Sequence, residues 1–273
     1  MGDGHSMRTG SLRWARIIRG IAGLLCTAAA WEAFSRSGIF PQSIVPDLMS
    51  IGQSLWIMTL DGTIFIHIAY TLSRVVMGLT IACVVSIPVG VLMGRSWIAE
   101  RFFKGPLSAL MPIPSLAWVP IFILWFGVGN RTTILVVSYA AAFPMIYNTW
   151  VGVRAIRPIW IRSAVGMGAD VRMIFWHVVM PGALPFILAG LRQSFGRAWI
   201  AVIGAELLAG TDYGLGRLIF EAKEWLSTDV MLGAIGVIGL IGLLAEKAIF
   251  EVVDQRTIVR WGMVQSDAQA SAQ

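Results

Sequence analysis

The sequence predicts an all-α integral membrane protein of about six transmembrane helices with both termini cytoplasmic. Three observations predict it. Of 273 residues, 57% are hydrophobic and 13% are charged, where a soluble domain carries roughly 25% charge; the mean hydropathy is +0.75. Val75–Gly94, Gly105–Asn130 and Thr132–Val153 carry no charge at all, and about 20 apolar residues suffice to cross the hydrocarbon core. Lysine and arginine alternate between rich and poor loops, as the preference of positive charge for the cytoplasmic side demands.

The elements follow in order. Residues 1–16 are expected as a disordered cytoplasmic segment that begins MGDGHS, with Met7 an alternative start. Arg8, Arg13, Arg16 and Arg19 lead into a first span at 17–34 that holds Glu32 near one end. The small residues Thr27–Ala30 mimic a cleavable signal. Leu24-Leu25 before Cys26 suits a lipoprotein site poorly, and an uncleaved helix is expected. In 41–62, Pro46-Asp47 starts a short helix along the membrane surface with Ile51, Leu55 and Met58 on one side. Residues 62–74 either extend the second span or cap it. The three uncharged runs supply spans two to four. A fifth span covers 183–209 and contains Arg192, Arg197 and Glu206; a sixth covers 229–250 and ends near Glu246 and Lys247. One membrane domain is expected over 17–261, with a cytoplasmic segment at 157–181 and a disordered cytoplasmic tail at 262–273.

Orientation rests on the loops. The 95–104 loop holds Arg95, Arg101 and Lys104, and the 154–180 loop holds Arg154, Arg157, Arg162 and Arg172. The alternate loops are poorer: Arg36 in 35–62, Arg131 at the 127–131 turn, and Arg217 with Lys223 in 210–228. The 157–181 segment is thereby expected in the cytoplasm by charge alone.

Composition excludes several functions. The net charge of +6 sits beside apolar segments, and no basic face with interleaved aromatics points to nucleic acid. Cys26 and Cys83 both lie in apolar runs, which argues against a disulfide framework or a metal site. The three histidines lack ligand spacing. No phosphate-binding glycine loop and no nucleophile elbow occurs. No catalytic residue, metal or bound cofactor is expected.

The stretch 162–181, RSAVGMGADVRMIFWHVVMP, is too polar for lipid and too regular for a slack loop. Gly168 permits a close turn. Pro181 is expected to stop a second short helix, with Pro185 in the first turn of the next span. Val178 and Met180 offer apolar contact back to the bundle. The pattern resembles the coupling motif of ATP-binding-cassette importer permeases: Glu-Ala-Ala, three residues, Gly, nine residues, Ile, any residue, Leu-Pro. The resemblance extends over about 43–261, to the nitrate/sulfonate/taurine class. It is carried by 71–94 (TLSRVVMGLTIACVVSIPVGVLMG), 110–129 (LMPIPSLAWVPIFILWFGVG), 143–154 (FPMIYNTWVGVR), 181–199 (PGALPFILAGLRQSFGRAW), Gly214-Leu215-Gly216, Asp229 and Trp261.

The resemblance implies a type I importer (MetI-like) permease fold in the bacterial inner membrane. It implies a dimer, expected as two copies of this chain, around one path. Two cytoplasmic ATPase subunits would carry ATP and Mg, and an extracytoplasmic binding protein would deliver the solute. The solute expected is a small anion such as a sulfonate, taurine or nitrate. The coupling residues it implies are Arg162, Ser163, Ala164, Gly168, Ala169, Asp170, Val178, Met180 and Pro181. Arg162 departs from the motif's glutamate, and Ser163 from its first alanine. Either the ATPase carries a compensating acid, or docking relies on shape and apolar contact, or Arg162 is a solvated charge without a role.

Candidate path residues are Pro112, Pro114, Ser115, Asn148, Arg197 and Glu206. The prolines, with Pro120, free backbone groups that protein or water must satisfy at membrane depth, through a packing kink or by facing the solute. A charge near the bilayer centre costs on the order of 3 kcal/mol. Arg192 fits a snorkelling cation, and Glu206 a structural role near the outer edge. Gly233, Gly236, Gly239 and Gly242 read as a packing stripe. The rival classes are an ATP-independent secondary transporter or channel, and a membrane scaffold or enzyme subunit.

Overall fold

The computed structural model describes residues 22, 23 and 25–247. The N-terminal arginines 8, 13, 16 and 19, the 1–16 segment, Trp261 and the 262–273 tail lie outside the described residues. All regular structure among the described residues is helical. Residues 25–36 form α1. Then come Leu48–Leu60 (α2), Thr63–Arg95 (α3), Trp97–Leu110 (α4), a 3-10 turn Ser115–Trp118 and Val119–Phe126 (α5). Asn130–Arg154 is α6, Pro158–Gly166 α7 and Val171–Ile174 α8. A π segment Phe175–Val179 leads into Met180–Leu208 (α9), followed by Leu215–Glu224 (α10) and Thr228–Ala245 (α11).

Among the described residues, four helical stretches are long and apolar enough to cross a membrane: α3, α6, Val171–Leu208 and α11. The bent pair Trp97–Leu110 and Ser115–Phe126 makes a fifth if it counts as one broken span. The remaining expected span, 17–34, falls partly outside the described residues.

Two expectations need correction. Gly105–Asn130 is not one straight span. It breaks at 111–114, and the flanking helices meet at 88°. Pro112 and Pro114 lack the N–H groups a continuous helix needs, and Met111, still helical in its dihedrals, is the C-cap at which α4 ends. The Leu110 carbonyl, which Pro114 cannot serve, instead accepts from the Tyr139 hydroxyl (3.0 Å) and from Ile113 N–H (3.1 Å). The second correction concerns Pro181, which stops nothing. The π segment before it runs directly into α9, and helix continues from Val171 to Leu208. Pro181 sits in the first turn of α9, where a missing N–H is tolerated, and the wide π turn absorbs the change of hydrogen-bond register.

The chain divides into two compact units, one of 1–64 with 219–236 and the other of 65–218 with the remainder from Val237. In the first, Asp47 caps α2 by accepting from Ser50 N–H at 2.9 Å. The hydrogen bonds from Ser50 hold its carboxyl below the usual range. Along α2, Met58 is buried and Ile51 and Leu55 are partly buried, on the one side the pattern predicts. Leu55 packs on Gly233. The Ser54 hydroxyl donates to Asp229, and Thr228 to the Ser43 carbonyl (2.7 Å).

In the second unit α6 is the central helix, with buried residues from Thr132 to Val153. It joins three apolar clusters. Val75, Ala82, Val137, Ala141 and Val202 unite α3, α6 and α9. Val119, Val136, Ala201 and Ala205 unite α5, α6 and α9. Met145, Val153, Ala164, Ile174 and Val179 unite α6 with the 158–179 region. The approach of α3 to α6 depends on small residues every four positions: Gly78, Ala82, Ser86, Gly90 and Gly94. A Cβ on Gly90 would lie 2.6 Å from Thr149 Cβ and 2.9 Å from the Ile146 carbonyl. Gly90→Val is therefore expected to destabilise the protein by about 1–3 kcal/mol through overpacking, read as a lower thermal midpoint in detergent.

The α11 glycines do not form a single stripe. Steps of three fall short of a turn, so Gly233 and Gly242 face opposite ways. Gly242 meets the Trp199 indole, while Gly236 and Gly239 meet nothing within 4 Å.

Candidate functional site

The 158–179 region folds as a helical hairpin built around Gly168. α7 ends in a closed turn in which Ala169 N–H bonds Ala164 O (3.0 Å) and Gly168 N–H bonds Val165 O (2.9 Å). This pairing requires a left-handed residue just past the helix end, and Gly168 supplies it with φ +83°. Asp170 then caps α8 by accepting from Met173 N–H at 2.7 Å. The inner side of the hairpin is anchored. Ala164, Ile174 and Val179 are buried, and Ala169, Val178 and Met180 pack against them. The outer side is apolar and bare: Val165 is 57% exposed, Met167 81% and Val171 74%. Arg162, Ser163, Gly168 and Asp170 are exposed, and Pro181 is half-buried.

The candidate path residues separate into four places. Pro114, Ser115 and Arg197 line one cavity of about 390 Å³. Asn148 lies elsewhere on α6, donating to the Pro144 carbonyl (2.8 Å) and to Gln193 (3.3 Å). Pro112 is exposed at the break before the 3-10 turn. Glu206 is 1% exposed and lines neither that cavity nor its neighbours.

Glu206 belongs instead to a buried polar knot. Arg74 Nη1 donates to it at 2.5 Å, with the two side chains 2% and 0% exposed. Thr71 Oγ1 donates to the same carboxylate (2.9 and 3.0 Å), and Gly216 N–H donates to Oε2 (2.9 Å). The other side of the guanidinium donates to Asn130 Oδ1 from Nε (2.8 Å) and Nη2 (2.6 Å). Thr71 also accepts from Leu215 N–H at 2.8 Å. His67 Nδ1 lies 2.7 Å from the Gly214 carbonyl and 3.0 Å from its N–H, of which one tautomer serves one. The knot binds the 209–216 turn to α3 and to the start of α6. A Cβ on Gly214 would lie 2.5 Å from Arg74 Nη1, so only glycine fits.

Residues 86–259 match the family of binding-protein-dependent transport system inner membrane components. The chain belongs to that family. The permease is 36% identical over 221 residues to the taurine transport system permease protein TauC of Escherichia coli, covering 81% of this chain and 78% of that protein. It is 30% identical over 252 residues to the bicarbonate transport system permease protein CmpB of Synechococcus elongatus, covering 88% and 91%. Its fold matches a chain of the MetNI methionine ABC transporter with TM-score 0.58 at 19% identity, over 68% of this chain and 94% of that one. The permease is a multi-pass inner-membrane protein with the MetI-like fold.

Sequence reasoning missed Arg74, Thr71 and His67 as partners of Glu206. The signal was present. His67, Thr71 and Arg74 recur at helical spacing in a segment otherwise apolar, and a charge there needs an opposite charge.

Proposed function

We propose that the permease forms, as a dimer of this chain, the path of an ATP-binding-cassette importer, and that its 158–179 hairpin couples that path to two cytoplasmic ATPase subunits. The observation that carries this is the hairpin itself: a helical element with one face packed into the bundle and an exposed apolar tip of Val165, Met167 and Val171. Such a tip fits a groove in a soluble partner, and its anchored side passes rigid-body motion to α6 and α9. ATP and Mg bind on the partner, and closure of the ATPases moves the hairpin and turns the path outward. An extracytoplasmic binding protein then releases solute into it. The relatives that carry taurine and bicarbonate support a small anion as solute.

The test is co-purification of the tagged permease with a candidate ATPase and binding protein, then ATPase assay in liposomes. Binding-protein stimulation of ATPase is expected. Arg162→Glu is expected to weaken ATPase association at least about threefold if an acid on the ATPase meets Arg162, the scale of one partly exposed ion pair. An unchanged association assigns docking to shape and apolar contact. Transport of solute by the permease alone, without ATP, would favour the secondary-transporter reading instead.

A further inference from the structure

Among the described residues three arginines of the bundle pair with a carboxylate: Arg74 with Glu206, Arg154 with Glu100 (2.6 Å) and Arg192 with Glu246 (2.8 Å). Arg197 and Lys104 have no carboxylate partner among the described residues. Each lines a cavity. The Arg197 cavity, about 390 Å³, is walled by Pro114, Ser115 and Phe143. The Lys104 cavity, about 340 Å³, is walled by Ser108, Phe143, Tyr147 and Trp150. Both volumes fall within the roughly 300–1,000 Å³ of small-molecule sites. No acidic side chain lines either. Glu100, one turn before Lys104, is engaged by Arg154.

The two cavities share Phe143, which therefore stands between them on α6. The first opens at the 111–114 break, where irregular backbone at membrane depth is tolerated only inside protein or beside water. Arg197 lies about 16 Å along α9 from its end at Leu208, at 1.5 Å per residue, too deep for an unpaired charge in lipid. In the second cavity Lys104 Nζ sits 5.9 Å from the Trp150 ring centre, and the buried Trp150 indole N–H has no acceptor.

We propose that these cavities are two successive anion stations on the translocation path, with Arg197 and Lys104 as the recognising cations and the Phe143 ring as the partition between them. The occupant is a small oxyanion, a sulfonate or a carboxylate-like group, which a guanidinium grips through paired N–H donors. The Ser115 and Ser108 hydroxyls, which make no hydrogen bond among the described residues, complete the two stations. This inference rests on the importer reading for its direction of transport, but the charge selectivity of the cavities stands apart from coupling.

The experiment uses the full chain in membrane vesicles, with Cys26→Ser and Cys83→Ser as background and Ser115→Cys or Ser108→Cys as reporter. Sulfonatoethyl methanethiosulfonate, an anion, competes with trimethylammonioethyl methanethiosulfonate, a cation, each rate normalised to a free thiol. A preference for the anion of about fivefold or more is expected, the scale of opposed unit charges about 7 Å away in water. It is expected to vanish at Ser115→Cys with Arg197→Gln, and at Ser108→Cys with Lys104→Gln. Equal rates, or no labelling because the cavities face lipid, would overturn the proposal. Phe143→Ala is expected to raise passive sulfonate leak through the permease in liposomes several-fold, and an unchanged leak removes the partition. A wild type with the labelling preference but no binding-protein-stimulated ATPase refutes the importer reading and leaves the anion stations standing.

Discussion

Arg74→Ala is expected to destabilise the folded permease by about 3–5 kcal/mol, because it leaves the Glu206 carboxylate buried without its counter-charge. The carboxylate keeps the Thr71 hydroxyl and Gly216 N–H, but neither neutralises it. Asn130 loses the two donors that now fix the start of α6. The 209–216 turn is held to α3 largely through this knot, and it should loosen first. The measurement is the thermal midpoint in detergent, with limited proteolysis at 209–216 as a local readout. Glu206→Gln is expected to fall between Arg74→Ala and wild type, since an amide still accepts from Arg74 without the opposite charge. The decisive comparison is Arg74→Met with Glu206→Met. Paired apolar residues of similar volume are often neutral or stabilising where a single loss is costly. A double variant as unstable as the worse single would show that the turn, not the charge balance, sets the cost.

The same knot shows where sequence reading stops. Glu206 was legible as a charge that membrane depth must explain. Its partner stands 132 positions away, and no helical periodicity reports a contact that remote. The spans were legible because a bilayer imposes length and apolarity on each segment by itself. The break at 111–114 was half legible. The prolines were conspicuous, yet the 88° turn depends on Tyr139 waiting across the bundle to take up the Leu110 carbonyl. Pro181 misled for a related reason, since a proline ends a helix only when its neighbours cannot shift register, and here a π turn lets them. The α3 stripe of Gly78, Gly90 and Gly94 was overlooked beside the more regular glycines of α11. Spacing by four keeps a face, whereas spacing by three rotates away from it. The turn at Gly168 was legible, because a glycine turn is local.

Gly168→Val is expected to abolish ATP-driven uptake, by at least about tenfold, while leaving the bundle folded. The left-handed conformation of residue 168 costs a non-glycine side chain about 1–2 kcal/mol, and more when the Cβ is branched. Folding should survive this, since a Cβ at 168 meets nothing within 4 Å and the residue is exposed. What suffers is the closed turn from Ala164 to Ala169, which sets the angle between α7 and α8 and hence the pose of Val165, Met167 and Val171. A hairpin that springs to another angle presents its apolar tip out of register with any groove. Three variants separate the causes. Gly168→Asn tolerates the left-handed conformation and should keep most uptake. Gly168→Asp keeps the turn but adds negative charge at the tip, so its loss, if it exceeds that of Gly168→Asn, measures the electrostatics of docking. Gly168→Val keeps the charge and loses the turn. The readout is uptake alongside ATPase activity in the reconstituted complex. Uncoupling appears as ATPase that no longer responds to the binding protein. Full coupling in Gly168→Val would mean that the hairpin's pose does not transmit motion, and the ATPase must then grip the bundle elsewhere.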